Sequence, residues 1–178
     1  MKNVGLFEKV SFEKFIEDCR KYMSNLTESD EYYKQYYDSL ALPRRSTPGS
    51  AGYDFGFPLD KISIAPKSSV IIPTGIKVRI DAPDYYLKVV PKSGLSRRYR
   101  TEIVGTEGII DADYYYSDAE GHIMIQLVNN NDESKVLKLE NNTKFCQGIF
   151  SEYGTIIGDD PIHNERVGGF GSTGETLK

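Results

Sequence analysis

Histidine and cysteine are scarce in this chain: its 178 residues hold two of each. His122 and His163 stand far apart with no Cys or His at ligand spacing, which argues against a histidine-built metal hydrolase. Cys19 and Cys146 are too few and too distant for a disulfide framework, so a cytoplasmic chain is expected. In that compartment the sequons at Asn25 and Asn141 carry no meaning. Positive charge is short as well. Twenty-two Lys and Arg against 26 Asp and Glu leave a formal charge of -4, so no basic surface for nucleic acid is expected. An anionic substrate would need a local basic site instead. No apolar run approaches the roughly 20 residues of a membrane span, and the start MKNVGLFEKVSFEKF is too charged for a secretory signal. At this length, with 39% hydrophobic residues, one soluble domain over 1–178 is expected.

What is present has two textures. Residues 4–10 read as a short strand. From Ser11 onward Phe12, Phe15, Ile16, Cys19, Tyr22, Met23 and Leu26 recur at helical spacing, with Ser11 as the N-cap. The piece ESDEYYKQYYDSL reads as a second short helix. Its aromatic stripe should pack on the domain or on a neighbour, although Tyr32, Tyr33, Tyr36 and Tyr37 also suit a protein contact. From Pro43 the chain reads as β. Ile76, Val78 and Ile80 alternate with Lys77 and Arg79, Leu87 and Val89 flank Lys88, and Ile123, Ile125 and Leu127 alternate with polar or half-polar neighbours. Turn residues such as Pro73-Thr74-Gly75 and Ala82-Pro83-Asp84 separate these runs, which predicts an all-β barrel or jelly roll.

Five stretches interrupt the strand pattern with small and polar residues. TPGSAGYDF (47–55) places Asp54 just after a turn. VVPKSGLSRR (89–98) offers Lys92, Ser93 and the Gly94 amide together, the donor types a phosphate wants, although alone it reads as an ordinary basic turn. GTEGIIDADYYYSDAEGHIMIQL (105–127) carries Asp111, a carboxylate that could activate a water if it points into a cleft. TKFCQGIF (143–150) is an apolar strand broken by Gln147 and Gly148. RVGGFGSTGETLK (166–178) contains G-x-G-x-x-G at Gly169, Gly171 and Gly174, but no helix or second strand can follow it, so a dinucleotide fold fails on context.

The order of these stretches resembles the trimeric deoxyuridine triphosphatase (dUTPase) family, whose five motifs are matched by AGYD at 51–54, PKSG at 91–94, GIIDADY at 108–114, FCQGIF at 145–150 and GGFGSTG at 168–174. The resemblance implies a distorted jelly-roll-like barrel, a homotrimer with shared active sites, and Mg2+-dependent hydrolysis of dUTP to dUMP and pyrophosphate. It assigns Asp111 to activation of the attacking water and Tyr114 to the space under the deoxyribose. Ser93, Gly94 and Gln147 become phosphate contacts from an adjacent subunit, Lys92 takes a weaker phosphate role, and Asp54 would hold waters of the Mg2+. The glycine-rich tail, 164–178, becomes a flexible arm that closes over nucleotide. In it Phe170 would stack on uracil, Arg166, Ser172 and Thr173 would hold the terminal phosphates, and glycines including Gly171 would let backbone amides approach.

The sequence also departs from that pattern. Lys92 replaces the usual Arg, which loses bidentate geometry. Gly105 stands where many members carry Asn, the stretch after Tyr114 is long, and Arg166 lies four residues before Phe170 rather than the usual five. Residues 11–40 form a helical insertion with no counterpart in a minimal member. The rival within the fold is dCTP deaminase, alone or with both activities, but Gln126 stands where that family places its catalytic Glu. A different class of role is regulation by binding a protein partner, as some phage members of the family bind repressors; in this chain residues 11–40 would offer the surface.

Overall fold

The computed structural model describes residues 2–23, 27–132 and 134–160; Asn25, Leu26, His163 and the whole 164–178 arm lie outside these. The N-terminal expectations hold. Strand β1 (Gly5–Lys9) leads into helix α1 (Phe12–Tyr22), and the Ser11 hydroxyl accepts the Lys14 amide at 3.1 Å. This satisfies one of the amides that a helix start leaves without partners. Helix α2 (Asp30–Ser39) is capped the same way by Ser29. Phe15, Cys19 and Tyr33 are fully buried, and Tyr37 packs on Phe12 and Phe15 at ring separations of 5.5 and 5.7 Å. Much of the aromatic stripe therefore packs on the domain itself.

The rest is β. In chain order the strands are β2 (Arg44–Arg45), β3 (Tyr53–Gly56), β4 (Lys61–Ile64), β5 (Ser68–Pro73), β6 (Ile76–Ile80) and β7 (Tyr85–Pro91). After helix α3 (Ser93–Tyr99) follow β8 (Thr101–Ile103) and β9 (Gly108–Ile110), a 3-10 turn at Ala112–Tyr116, then β10 (Met124–Asn129), β11 (Leu137–Glu140) and β12 (Lys144–Glu152). They assemble as β1-β6, β5-β10-β8, β11-β4 and β2-β3-β12-β7-β9, each pairing antiparallel. This is a jelly-roll-like, mostly β architecture with few helices. Period-two alternation sends Ile76, Val78, Ile80, Ile125 and Leu127 inward to join Phe55, Phe57, Leu87 and Phe145. Full burial of such side chains contributes about 1.5–3 kcal/mol each. Both cysteines are free and buried, and burial pushes their thiols up.

One local reading changes. The stretch after Pro91 is a helix of about two turns rather than a plain basic turn. Lys92 stands at its N-cap in extended conformation, and Arg100 closes it with φ 50° in the left-handed region. The ring-constrained Pro91 sits one residue before the cap, where it ends β7 without touching the helix ladder.

Candidate active site

Strand register gathers one half of the site. Gln147 on β12 lies opposite Asp54 on β3 and opposite Val90 on β7. Just past β7, the Lys92 amide donates to the Phe145 carbonyl at 3.0 Å, which brings the α3 cap beside the same strand. Asp54, Lys92 and Gln147 thus meet across three adjacent strands. Ser93 and Gly94 open α3 on its exposed side, and a Cβ at Gly94 would meet nothing within 4 Å. Gly52 has a different reason to be glycine. A Cβ there would stand 2.3 Å from Gln147 Oε1, so the AGYD turn must lack a side chain for the glutamine to lie over it.

The buried Asp54 carboxylate is surrounded by donors. Lys92 pairs with Oδ1, Lys144 Nζ pairs with Oδ2 at 3.0 Å, and the Ser46 hydroxyl donates to Oδ2 at 2.7 Å. Lys144 and Ser46 did not stand out in the sequence; a lysine opening a strand and a serine in a loop become informative only once their distance from Asp54 is known. Burial alone would push the Asp54 carboxyl up, but the bonds from Lys92, Ser46 and Lys144 outweigh it and hold the pKa at about 2, below the usual 3.8. A depressed carboxyl stabilises the fold above pH 4 and loses that contribution as pH falls towards 2. Asp54→Asn should therefore cost about 1–2 kcal/mol at pH 7, discounted for the exposed Lys144. Urea melts at several pH values should show this deficit shrinking between pH 4 and 2; a pH-independent deficit would rule out the ion pairs as its source.

The other half is built by the segment around Asp111. Strands β8 and β9 are joined by a short connection but splay apart: β8 pairs with β10 and β9 with β7, with an isolated bridge from Ile103 to Thr106. Between them opens a cavity of about 400 Å³ whose lining includes Val104, Gly108, Ile110, Met124, Gln126 and, from α1, Tyr22. Tyr22, on the apolar side of α1 by its spacing, thus also lines the cavity. Gln126 donates through Nε2 to Ser69 Oγ at 3.1 Å. Asp111 is exposed at the N-cap of the 3-10 turn. Tyr114 is buried, and its hydroxyl donates to the His122 carbonyl at 2.8 Å.

The two halves are not adjacent in one chain. Ile110, next to Asp111, pairs with Leu87, whereas Lys92 and Ser93 follow Pro91 at the other end of the same strand. Four extended residues separate these levels by roughly 13 Å along the strand. Arg166, Phe170, Gly171, Ser172 and Thr173 fall outside the described residues. Among the described residues no cluster of three His, Cys, Asp or Glu could hold a metal, and no helix is long and apolar enough to cross a membrane.

A family model described as dUTPase matches residues 38–174. A deoxyuridine 5'-triphosphate nucleotidohydrolase of Lactococcus lactis subsp. lactis is 38% identical over 137 residues, 76% of this chain and 89% of the relative. One from Polynucleobacter necessarius subsp. necessarius is 33% identical over 138 residues, 75% of this chain and 88% of the relative. Among solved structures, a dUTPase from Streptococcus mutans superposes with a TM-score of 0.60 at 26% identity, covering 85% of this chain and 98% of that one. The family match begins at residue 38, so α1 and most of α2 precede it.

Proposed function

This chain belongs to the dUTPase family, and from that membership we propose that it hydrolyses dUTP to dUMP and pyrophosphate, with Mg2+, at sites shared between the subunits of a homotrimer. The observation that carries the shared-site reading is the separation of Asp111 from the Lys92–Ser93–Gln147 group along β7. Symmetric copies can bring one chain's Asp111 to a neighbour's phosphate-binding residues.

In the proposed reaction the Asp111 carboxylate takes a proton from a water whose oxygen bonds to the α-phosphorus. The bond from that phosphorus to the bridging oxygen breaks, and pyrophosphate leaves with the electron pair. Lys92, Ser93, the Gly94 amide and Gln147 hold phosphate oxygens, and Lys144 adds a second cation beside them. The splayed β8–β9 segment offers backbone groups to uracil, and Tyr114 lies under the deoxyribose. The arm supplies Phe170 over the base and Arg166, Gly171, Ser172 and Thr173 around the terminal phosphates.

Mg2+ keeps a hydrated, octahedral oxygen shell. An Asp54 already shared by two lysines does not suit direct ligation, but it fits an ion that arrives on the triphosphate and keeps its waters. Asp54 would then accept from one of those waters, and the ion would neutralise charge developing on the phosphates. The test is product chromatography of protein and Mg2+ incubated in parallel with dUTP, dCTP, dTTP and UTP. Conversion of dUTP alone to dUMP and pyrophosphate is expected. Release of ammonia from dCTP would reopen deamination at Gln126.

A further inference from the structure

Helix α1 is tied to the loop between Tyr115 and His122 at two points. The Ser11 amide and hydroxyl donate to the two carboxylate oxygens of Glu120 at 2.8 and 2.7 Å. Deeper in, Asp18 and His122 form a buried pair, Oδ2 to Nδ1 at 2.6 Å, with the imidazole fully buried. The other ring nitrogen, Nε2, accepts the Gly75 amide at 2.8 Å. That bond fixes the tautomer: the proton sits on Nδ1 and is donated to Asp18. Lys14 closes the network, 3.1 Å from the second Asp18 oxygen. The loop itself is folded back tightly, with Glu120 and Gly121 at φ 53° and 67°, and a Cβ at Gly121 would lie 2.7 Å from Tyr115 Cα.

This network ends at the site. The backbone carbonyl of His122 accepts the Tyr114 hydroxyl at 2.8 Å. The long loop after Tyr114 and the inserted helix are therefore two parts of one support. We propose that Asp18 and His122 are positioning residues for Tyr114: the insertion helix fixes the carbonyl that anchors the tyrosine hydroxyl, and through it the ring that separates deoxyribose from ribose. The inference rests on the sugar-facing reading of Tyr114 given above. Rejection of a 2′-hydroxyl by contact demands a wall that does not yield, and a ring anchored at its far end by a hydrogen bond cannot tilt away.

The test is the ratio of kcat/KM for dUTP to that for UTP, a quantity independent of the active fraction of a preparation. Asp18→Ala and Tyr114→Phe, which cut the same chain at its two ends, should each lower the ratio about tenfold. Combining them should lower it no further, because the two bonds act in series. Asp18→Asn, whose side-chain oxygen can still accept from Nδ1, should retain most of the ratio. Should Asp18→Ala not fold, Glu120→Ala frees the same loop from Ser11 without stranding a buried group, and the ratio should again fall. A lowered melting temperature with an unchanged ratio would reduce the network to packing and overturn the inference. So would a ratio that falls in Tyr114→Phe alone. Absence of dUTP turnover in the unaltered protein would instead overturn the function reading, which the parallel wild-type assay reports separately.

Discussion

Asp111→Asn is expected to lower kcat for dUTP by about three orders of magnitude, within the range that a positioned general base contributes. The substitution preserves size and shape but removes the group that receives the water's proton. Its effect on folding should be small, as for other surface positions: Asp111 is exposed, and Asn keeps its size and an oxygen acceptor. Nucleotide affinity should survive, because the phosphates and base are held by other residues. Calorimetry with dUTP on the variant, beside single-turnover kinetics, separates the two effects. Tight binding with no turnover is the expected result. Turnover within tenfold of wild type would remove Asp111 from the chemistry and leave it a surface carboxylate.

Activity should also reappear when two inactive proteins are mixed. Asp111→Asn lacks the base, and a Ser93→Ala/Gln147→Ala double variant lacks phosphate contacts; the second should lose roughly two orders of magnitude by comparison with other preorganised donors. Both leave the Lys92–Asp54–Lys144 group untouched. If each site takes Asp111 from one subunit and Ser93 and Gln147 from the next, every mixed trimer holds one intact site of three. Random assembly at equal amounts makes three quarters of trimers mixed, so about a quarter of wild-type activity should return on subunit exchange. If both halves came from one chain, mixing would restore nothing. A solution mass of a single chain at working concentration would make the same point.

Much of the architecture is local and could be read in the chain. The Ser11 cap, the helical spacing from Phe12, and the alternation of Ile76, Val78 and Ile80 each depend on a period of 3.6 or 2 within a few residues. The ordered motifs named the family. The cap helix after Pro91 was missed because a short segment holding Ser, Gly and Arg has weak preference for either state.

What escaped was what strand register and helix docking decide. Lys144 reaches Ser46 across 98 residues, and His122 reaches Asp18 across 104. Neither lysine nor aspartate sits in a pattern that marks it, since Lys144 opens a strand and Asp18 looks like a polar position on an amphipathic helix. The splaying of β8 from β9 is likewise a consequence of which neighbours, β10 and β7, win their backbone hydrogen bonds. By itself the sequence determined most of which elements form, because that follows from near neighbours along the chain, and, through the order of its motifs, the family. Only the tertiary structure decided which charges share a carboxylate, what holds Tyr114, and at which levels of β7 Asp111 and Lys92 stand, because those depend on contacts between residues distant in sequence.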